Sequence, residues 1–210
     1  QLDSGGIPHN FSRPDRASPN ATIWTGLFVS LAAEYGLFDL NDLDSNAAPD
    51  IGALVTYLES LQTRSEVSDF TKLFALYVQA RFGVDVEGRL ATLQARGDEI
   101  GMAGLGFAAL AHRENGRERS AQAALQRMRN FTNMGTRSID FVETYQARHY
   151  FDSPILRLAQ LSMLYSTFGN DPDMNTRVAN TLMNNQRFGY WNNAADTAWV
   201  LIAFADILRT

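Results

Sequence analysis

The sequence predicts an all-α protein, an α/α toroid in which inner and outer helices alternate. About nine segments place their apolar residues at helical spacing, and only one short stretch alternates as a strand does. The helical segments alternate between two types, one apolar on nearly every side and one with a single apolar stripe. The first type is buried among other helices, while the second faces water on its polar side. This alternation predicts a closed double layer of helices.

The first four helices follow residues 4–19, a loop of Gly, Pro and turn formers. Helix one is apolar on most sides and stops at Gly36, and helix three is again apolar nearly all round. Helix two starts at Pro49, a residue suited to a first turn, and both it and helix four carry one stripe. The predicted helices cover about residues 20–35, 49–62, 69–82 and 86–95.

Helix five, about residues 99–112, is of the buried type and contains Gly101, Gly104 and Gly106. Glycine inside a helix costs roughly 0.5–1 kcal/mol against alanine, so these residues predict that another backbone approaches this face. Helix six, about residues 117–131, is one-sided. Residues 138–143 then alternate enough for a short strand or for a hairpin near residues 138–150.

The last three helices have clear starting signals. Ser153 and Pro154 begin helix seven, which ends at Gly169, and Asp171 and Pro172 begin helix eight. Residues off the stripe of helix eight, Arg177 among them, are expected to face water. A turn rich in aromatic residues at 188–191 and two asparagines that can cap precede helix nine, at 194–208. Helix nine is apolar nearly all round but shorter than the about 20 residues of a membrane span, so we expect an inner helix.

The number of helices predicts an incomplete ring. A toroid of this class has about six helical hairpins, whereas this chain shows about nine helices with the last unpaired. The missing part is expected at the N-terminus, because the chain opens on Gln1 rather than Met, as a mature chain or an excised domain would. No linker composition divides the 210 residues, so one domain over 1–210 is expected.

Composition excludes several kinds of function. The chain has no cysteine, which removes disulfides, thiolate metal sites and cysteine nucleophiles. The net charge is −5 and the arginines are scattered, so neither nucleic acid nor an anionic membrane surface is an expected partner.

The end of the chain carries three consecutive patterns: Gln186-x-x-Gly189-Tyr190-Trp191, then Asp196-Thr197-Ala198-Trp199, then Leu201-Ile202-Ala203-Phe204-Ala205. They resemble the end of the thioester domain of bacterial α2-macroglobulins, where a Gln-Gly-x-Trp turn precedes a Thr-Ala-Trp-x-Leu-x-Ala-Leu-Ala helix. Residues 5–36, 74–83 and 106–124 also fit that family, so the resemblance covers almost the whole chain. It implies a non-catalytic scaffold and docking part of a broad-spectrum protease inhibitor.

The resemblance has one departure. The family's thioester joins a Cys and a Gln within a Gly-Cys-x-Glu-Gln segment, and this chain has no Cys. Either that segment precedes Gln1 in a longer protein, or the chain is a paralogue that lacks it.

The resemblance also implies partners and a location. In such a protein, cleavage of a bait region releases this domain and the thioester couples to the attacking protease. The implied partners are the other domains of the parent protein and its target proteases, with no membrane contact by this chain. The implied location is the periplasm, the cell envelope or outside the cell. No catalytic, cofactor-binding or metal-binding residue is expected.

The alternative is a toroid enzyme such as a terpenoid cyclase, a prenyltransferase or a polysaccharide-degrading enzyme. Such an enzyme needs an acidic cluster, a zinc triad or paired carboxylates at the axis. The clustered acids Asp39, Asp42 and Asp44 have no evident partner and are interpreted as a solvated loop.

Other motifs have simpler explanations. His9, His112 and His149 lie in different elements, and surface or capping roles are expected. The Asp171-x-Asp173-x-Asn175 run lacks the Gly and Glu of a calcium loop, so a helix start explains it. Arg96-Gly97-Asp98 is interpreted as a turn with Asp98 as cap. The glycosylation sequons at Asn10, Asn20 and Asn130 are attributed to chance. The tryptophans Trp24, Trp191 and Trp199 are expected in the core rather than along a ligand-binding axis.

Overall fold

The structure is a computed structural model, and helices make up most of it. It describes residues 1–8, 16–37, 50–96, 100–142, 152–169 and 172–209. Within these ranges it has nine α-helices, one 3-10 turn and one two-stranded sheet. The all-α prediction is confirmed. The internal contacts divide the chain into two compact units, one made of Gln1–Ala95 with Glu114–Gly116 and the other of Arg96–Arg113 with Arg117–Thr210.

The first unit is built around its third helix. Its elements are α1 (Pro19–Glu34), α2 (Ile51–Ser60), a 3-10 turn (Leu61–Thr63), α3 (Asp69–Arg81) and α4 (Glu87–Gln94). α3 packs against α1, α2 and α4 and is buried on nearly every side. The side chains of Ser18, Asp50 and Ser68 cap α1, α2 and α3 by accepting a backbone N–H, which satisfies a donor that the helix leaves free. Because Asp50 caps α2, the predicted start at Pro49 is too early, and Pro49 itself lies outside the described residues.

A buried arginine links α3 to α1. Arg81 donates from Nε to Ser30 Oγ at 2.8 Å, donates from Nη1 to Tyr77 Oη at 3.2 Å, and pairs with Glu34. Burial lowers the pKa of Arg81, but Tyr77, Glu114 and Glu34 raise it by more, so the net pKa lies above its ordinary value. The guanidinium is therefore charged at any physiological pH, and each of its three nitrogens has a partner.

The second unit is built around its seventh helix. Its elements are most of α5 (Gly101–Glu114), then α6 (Glu118–Arg129), β1 (Thr132–Met134), β2 (Ile139–Phe141), α7 (Pro154–Phe168), α8 (Pro172–Asn184) and α9 (Ala194–Ile207). α7 packs against α6, α8 and α9, and every residue from Ile155 to Tyr165 is buried. Ser153 caps it by accepting from the Leu156 N–H at 3.0 Å, and Pro154 takes the first position, as predicted.

The two predicted helix types are confirmed for α3, α5 and α7, whose side chains are buried on nearly every side. The even-numbered helices bury one face, as α8 does with Met174, Val178 and Leu182. The prediction that α9 is wrapped on all sides is wrong, because Leu201 is 59% exposed on it. α1 differs from the prediction in the same way, since Phe28 is 49% exposed. The first and last helices thus each keep an apolar side toward solvent.

The hairpin lies earlier in the chain than predicted. β2 pairs antiparallel with β1 upstream, with Asn133 opposite Asp140, whereas the sequence placed the hairpin at 138–150. Ile139 is buried, and its N–H donates to Thr181 Oγ1 of α8 at 3.0 Å. Arg177 of α8 donates to the Gly135 carbonyl at 3.1 Å, so this side chain holds the hairpin instead of facing water.

The expectation of a close backbone at the α5 glycines is wrong at Gly106. A Cβ placed there would lie 2.2 Å from Oε1 and 2.4 Å from Cδ of Gln160, so a side-chain amide, not a backbone, fills the space. Gln160 Nε2 donates to the Ala103 carbonyl at 3.0 Å. This α7 amide therefore reaches into the turn of α5 that Gly106 leaves open.

Candidate functional site

Residues 187–190 form a tight turn between α8 and α9. The Arg187 N–H donates to the Tyr190 carbonyl at 2.9 Å, and the Tyr190 N–H donates to the Arg187 carbonyl at 3.2 Å. The two central residues, Phe188 and Gly189, have φ angles of 54° and 86°. Two successive left-handed residues between such paired ends have the backbone of a two-residue hairpin turn of type I′. We call residues 187–190 the aromatic turn.

Phe188 is the unusual residue of the aromatic turn. Its side chain is 97% exposed, so the ring gains almost no burial in the folded chain. A left-handed backbone costs a non-glycine residue roughly 1–2 kcal/mol. Neither backbone preference nor core packing therefore explains a phenylalanine here. Tyr190 and Met183 are also exposed, by 53% and 50%.

The base of the aromatic turn is firmly held. Trp191 is buried, and its Nε1–H donates to the Leu182 carbonyl at the end of α8 at 2.7 Å. Its backbone N–H donates to Thr197 Oγ1 at 3.2 Å, and its ring lies edge-on to Phe204 at 6.5 Å. Trp191 thus attaches the base of the turn to both neighbouring helices.

A polar cluster around Asp196 fixes the start of α9. Asn193 caps the helix by accepting from the Asp196 N–H at 2.9 Å. The Asp196 carboxylate is buried and accepts from Asn192 Nδ2 at 3.1 Å, from Asn193 Nδ2 at 3.3 Å and from the Ser153 hydroxyl. A buried carboxylate is tolerated when hydrogen bonds replace its water. These contacts connect the first turns of α7 and α9, so we assign the cluster a structural role.

The tryptophans mostly follow the prediction of a core role. Trp191 and Trp199 are buried, and Trp199 lies against Phe107 with ring centroids 5.7 Å apart. Trp24 is only half-buried, between Phe28 and Phe74.

His112 was expected at the surface or at a cap, and the surface part of this expectation is wrong. It lies in the last turn of α5 and is 2% exposed, so it belongs to the core. His9 and His149 lie outside the described residues.

Several other candidates fall partly or wholly outside the described residues. These are Asn10, Asp39, Asp42, Asp44, Gly97, Asp98 and Asp171. Asn20 and Asn130 are described and exposed, and Asp173 is exposed in the first turn of α8. Across the part of the chain that the structure describes, no group of three or more His, Asp or Glu side chains could hold a metal ion.

Comparison with protein-family models finds no match, and neither a curated protein nor a solved structure matches the chain. None of the described helices is long and apolar enough to cross a membrane.

The backbone of the aromatic turn predicts how substitutions in it change the free energy of unfolding. Phe188→Asn is expected to leave the free energy of unfolding unchanged or to raise it by up to about 1 kcal/mol, because asparagine tolerates the left-handed region better. Gly189→Ala is the matched control within the same turn. A Cβ there meets no atom within 4 Å, so the backbone alone should make this variant less stable, by about 1 kcal/mol or more. Urea unfolding measures both. A loss above about 1 kcal/mol in Phe188→Asn would assign the ring to folding instead of docking.

Proposed function

We propose that this chain is a non-catalytic scaffold and docking domain, the later part of a thioester-type α/α toroid in a bacterial α2-macroglobulin-like protease inhibitor. The observation that carries the proposal is the aromatic turn. An exposed Phe188, in a backbone conformation that phenylalanine disfavours, stands on a base fixed by Trp191. The turn also falls within the Gln186-x-x-Gly189-Tyr190-Trp191 pattern that carries the resemblance.

The two helix types support the toroid. In this arrangement α3, α5 and α7 belong to the inner layer, because they are buried on nearly every side. α2, α4, α6 and α8 belong to the outer layer with one face toward water. Phe28 on α1 and Leu201 on α9 support an incomplete ring, since the first and last helices each leave an apolar residue exposed.

The proposed role is mechanical. Bait cleavage frees the domain, and its surfaces then hold the parent protein and the protease in contact while coupling takes place. Aromatic and arginine side chains are enriched in protein interfaces, and residues 187–190 supply Arg187, Phe188 and Tyr190 in one turn. Since the chain has no Cys, the thioester comes from a segment outside it, or a paralogue docks without coupling. A trap of this kind acts in the periplasm, in the cell envelope or outside the cell.

The sequence that precedes Gln1 in the gene, together with a protease assay, tests the proposal. We expect a Gly-Cys-x-Glu-Gln segment upstream, and we expect the longer protein to block cleavage of casein by a protease that it traps. In that protein Phe188→Asn should lower the trapped fraction severalfold, whereas Asn180→Ala, an exposed change on α8, should not. A longer protein that inhibits none of a panel of serine, cysteine and metalloproteases would overturn the trap. Inhibition by a protein without the segment would establish the paralogue.

Methylamine tests the chemistry of the chain itself. Methylamine opens a thioester and adds its mass, so the isolated chain is expected to show no mass change by intact mass spectrometry, because it has no Cys. A longer protein with an upstream thioester segment is the positive control. A stoichiometric adduct on this chain would contradict the scaffold role, and polysaccharide hydrolysis by the chain would favour the toroid enzyme.

A further inference from the structure

A groove with a volume of about 580 Å³ runs between α6 and the last turn of α7. Four polar side chains of α6 line it: Arg119, Gln122, Gln126 and Arg129. Phe168 and Gly169 of α7 contribute to the other wall. None of the described residues that line the groove is acidic, so its charge is positive in a chain with a net charge of −5.

The four α6 side chains share one face of the helix. Their spacings of three, four and three residues are those that bring helical side chains above one another. The ten steps along the helix from Arg119 to Arg129 correspond to about 15 Å at 1.5 Å per residue. The two guanidiniums therefore mark the two ends of the groove, with the glutamine amides between them.

Both arginines are available to a ligand. Arg119 and Arg129 are exposed, and neither guanidinium has an ion-pair or hydrogen-bond partner within the described ranges of the chain. Two other arginines of this unit are engaged, since Arg113 pairs with Asp206 at 2.8 Å and Arg157 pairs with Asp152 at 2.8 Å. The groove thus combines a concave surface with two guanidiniums that have no partner among the described residues.

We propose that this groove binds an extended acidic peptide segment with carboxylates four residues apart. An extended chain rises about 3.3 Å per residue, and residues i and i+4 share a face about 13 Å apart, so two carboxylates reach the two arginines. A glutamine amide offers both a donor and an acceptor, which are the groups that a peptide backbone needs. The residue midway between the carboxylates points to the same face, where Phe168 provides an apolar contact.

Other polyanions fit the groove less well. A single-stranded nucleic acid is bound by a basic groove along its backbone together with aromatic faces for its bases, and two cations about 15 Å apart are too sparse for this. The second aromatic residue of the lining, Tyr165, is 4% exposed and presents no open face for a sugar ring. A peptide uses the charges, the amides and the apolar wall together.

Fluorescence anisotropy with a labelled eight-residue peptide tests the proposal. The probe carries Glu at positions 2 and 6, Leu at position 4 and Ser elsewhere, and binding is measured at 20 mM and 200 mM NaCl. Each of Arg119→Gln and Arg129→Gln is expected to weaken binding by about two- to fivefold, as exposed ion pairs do. The double reversal Arg119→Glu/Arg129→Glu should abolish binding, and the higher salt concentration should weaken it.

Controls distinguish binding in the groove from non-specific electrostatic attraction. Arg137→Gln makes the same charge change at an exposed site outside the groove and should leave the affinity unchanged. The probe with Gln in place of both Glu residues should not bind. Phe188→Asn should bind normally, which separates this site from the aromatic turn. The proposal is overturned if the acidic probe does not bind, if Arg137→Gln weakens binding equally, or if only an oligogalacturonate binds through Arg119 and Arg129.

Discussion

Replacing Trp199 by alanine is expected to lower the free energy of unfolding by about 3–5 kcal/mol. The Trp199 side chain is 2% exposed in α9 and lies against Phe107 of α5. The variant therefore leaves a large cavity at the contact between two helices of the second unit. This loss is a large share of the roughly 5–15 kcal/mol that stabilises a domain, and urea unfolding measures it.

Asn180→Ala provides the control for Trp199→Ala. Asn180 is exposed on α8, so the change should stay within about 0.5 kcal/mol. Arg177 is a poor control, because it is half-buried and donates to the Gly135 carbonyl. Equal stability of Trp199→Ala and Asn180→Ala would make α9 peripheral. The exposed side of α9 at Leu201 would then mark a docking surface.

Most helix boundaries could be predicted because their signals are local. Ser153 and Pro154 start α7 at the predicted residue, and Gly169 ends it. The hairpin was misplaced because its register depends on contacts distant in sequence. The Ile139 N–H needs Thr181 on α8, a partner that strand periodicity does not reveal. Periodicity identifies a strand but not the segment with which it pairs.

Burial was predicted less well for the first and last helices. The pattern of α9 reports which residues are apolar, but whether Leu201 is covered depends on what packs beside it. Gly106 has a similar explanation, since a close approach was evident but the Gln160 amide that makes it was not. In both cases the sequence indicates a constraint without identifying the partner.

The aromatic turn and the α6–α7 groove were not predicted from sequence as surfaces. The sequence predicted a turn at residues 188–191, but not its type, because type I′ turns favour asparagine, aspartate or glycine at the first central position. Arg119 and Arg129 have helical spacing with Gln122 and Gln126, but so do solvated faces of many helices. Only the structure shows that Phe188 is exposed and that the arginines border a concave surface.

Replacing one partner of the buried ion pair at the start of α7 is expected to cause the second large loss of stability. Arg157 Nε donates to Asp152 Oδ1 at 2.8 Å, both side chains are buried, and the guanidinium lies 5.7 Å from the centre of the Phe141 ring. Arg157→Leu is expected to cost about 3–5 kcal/mol, because it leaves the Asp152 carboxylate buried without its partner. Asp152→Leu should cost a similar amount, since it leaves the guanidinium unpaired.

The double variant Asp152→Leu/Arg157→Leu is expected to recover most of this stability. With Ser153 as the cap, Asp152 occupies the position before the cap and Arg157 the fourth helical position. In many helices these two positions hold an apolar pair, the hydrophobic staple, so two leucines there can pack together. Exchange of a buried ion pair for packed apolar residues is often neutral or stabilising, and we expect the double variant within about 1 kcal/mol of the natural chain. Urea unfolding of the four proteins completes the cycle. A double variant as unstable as the sum of the single changes would show that the two side chains act independently.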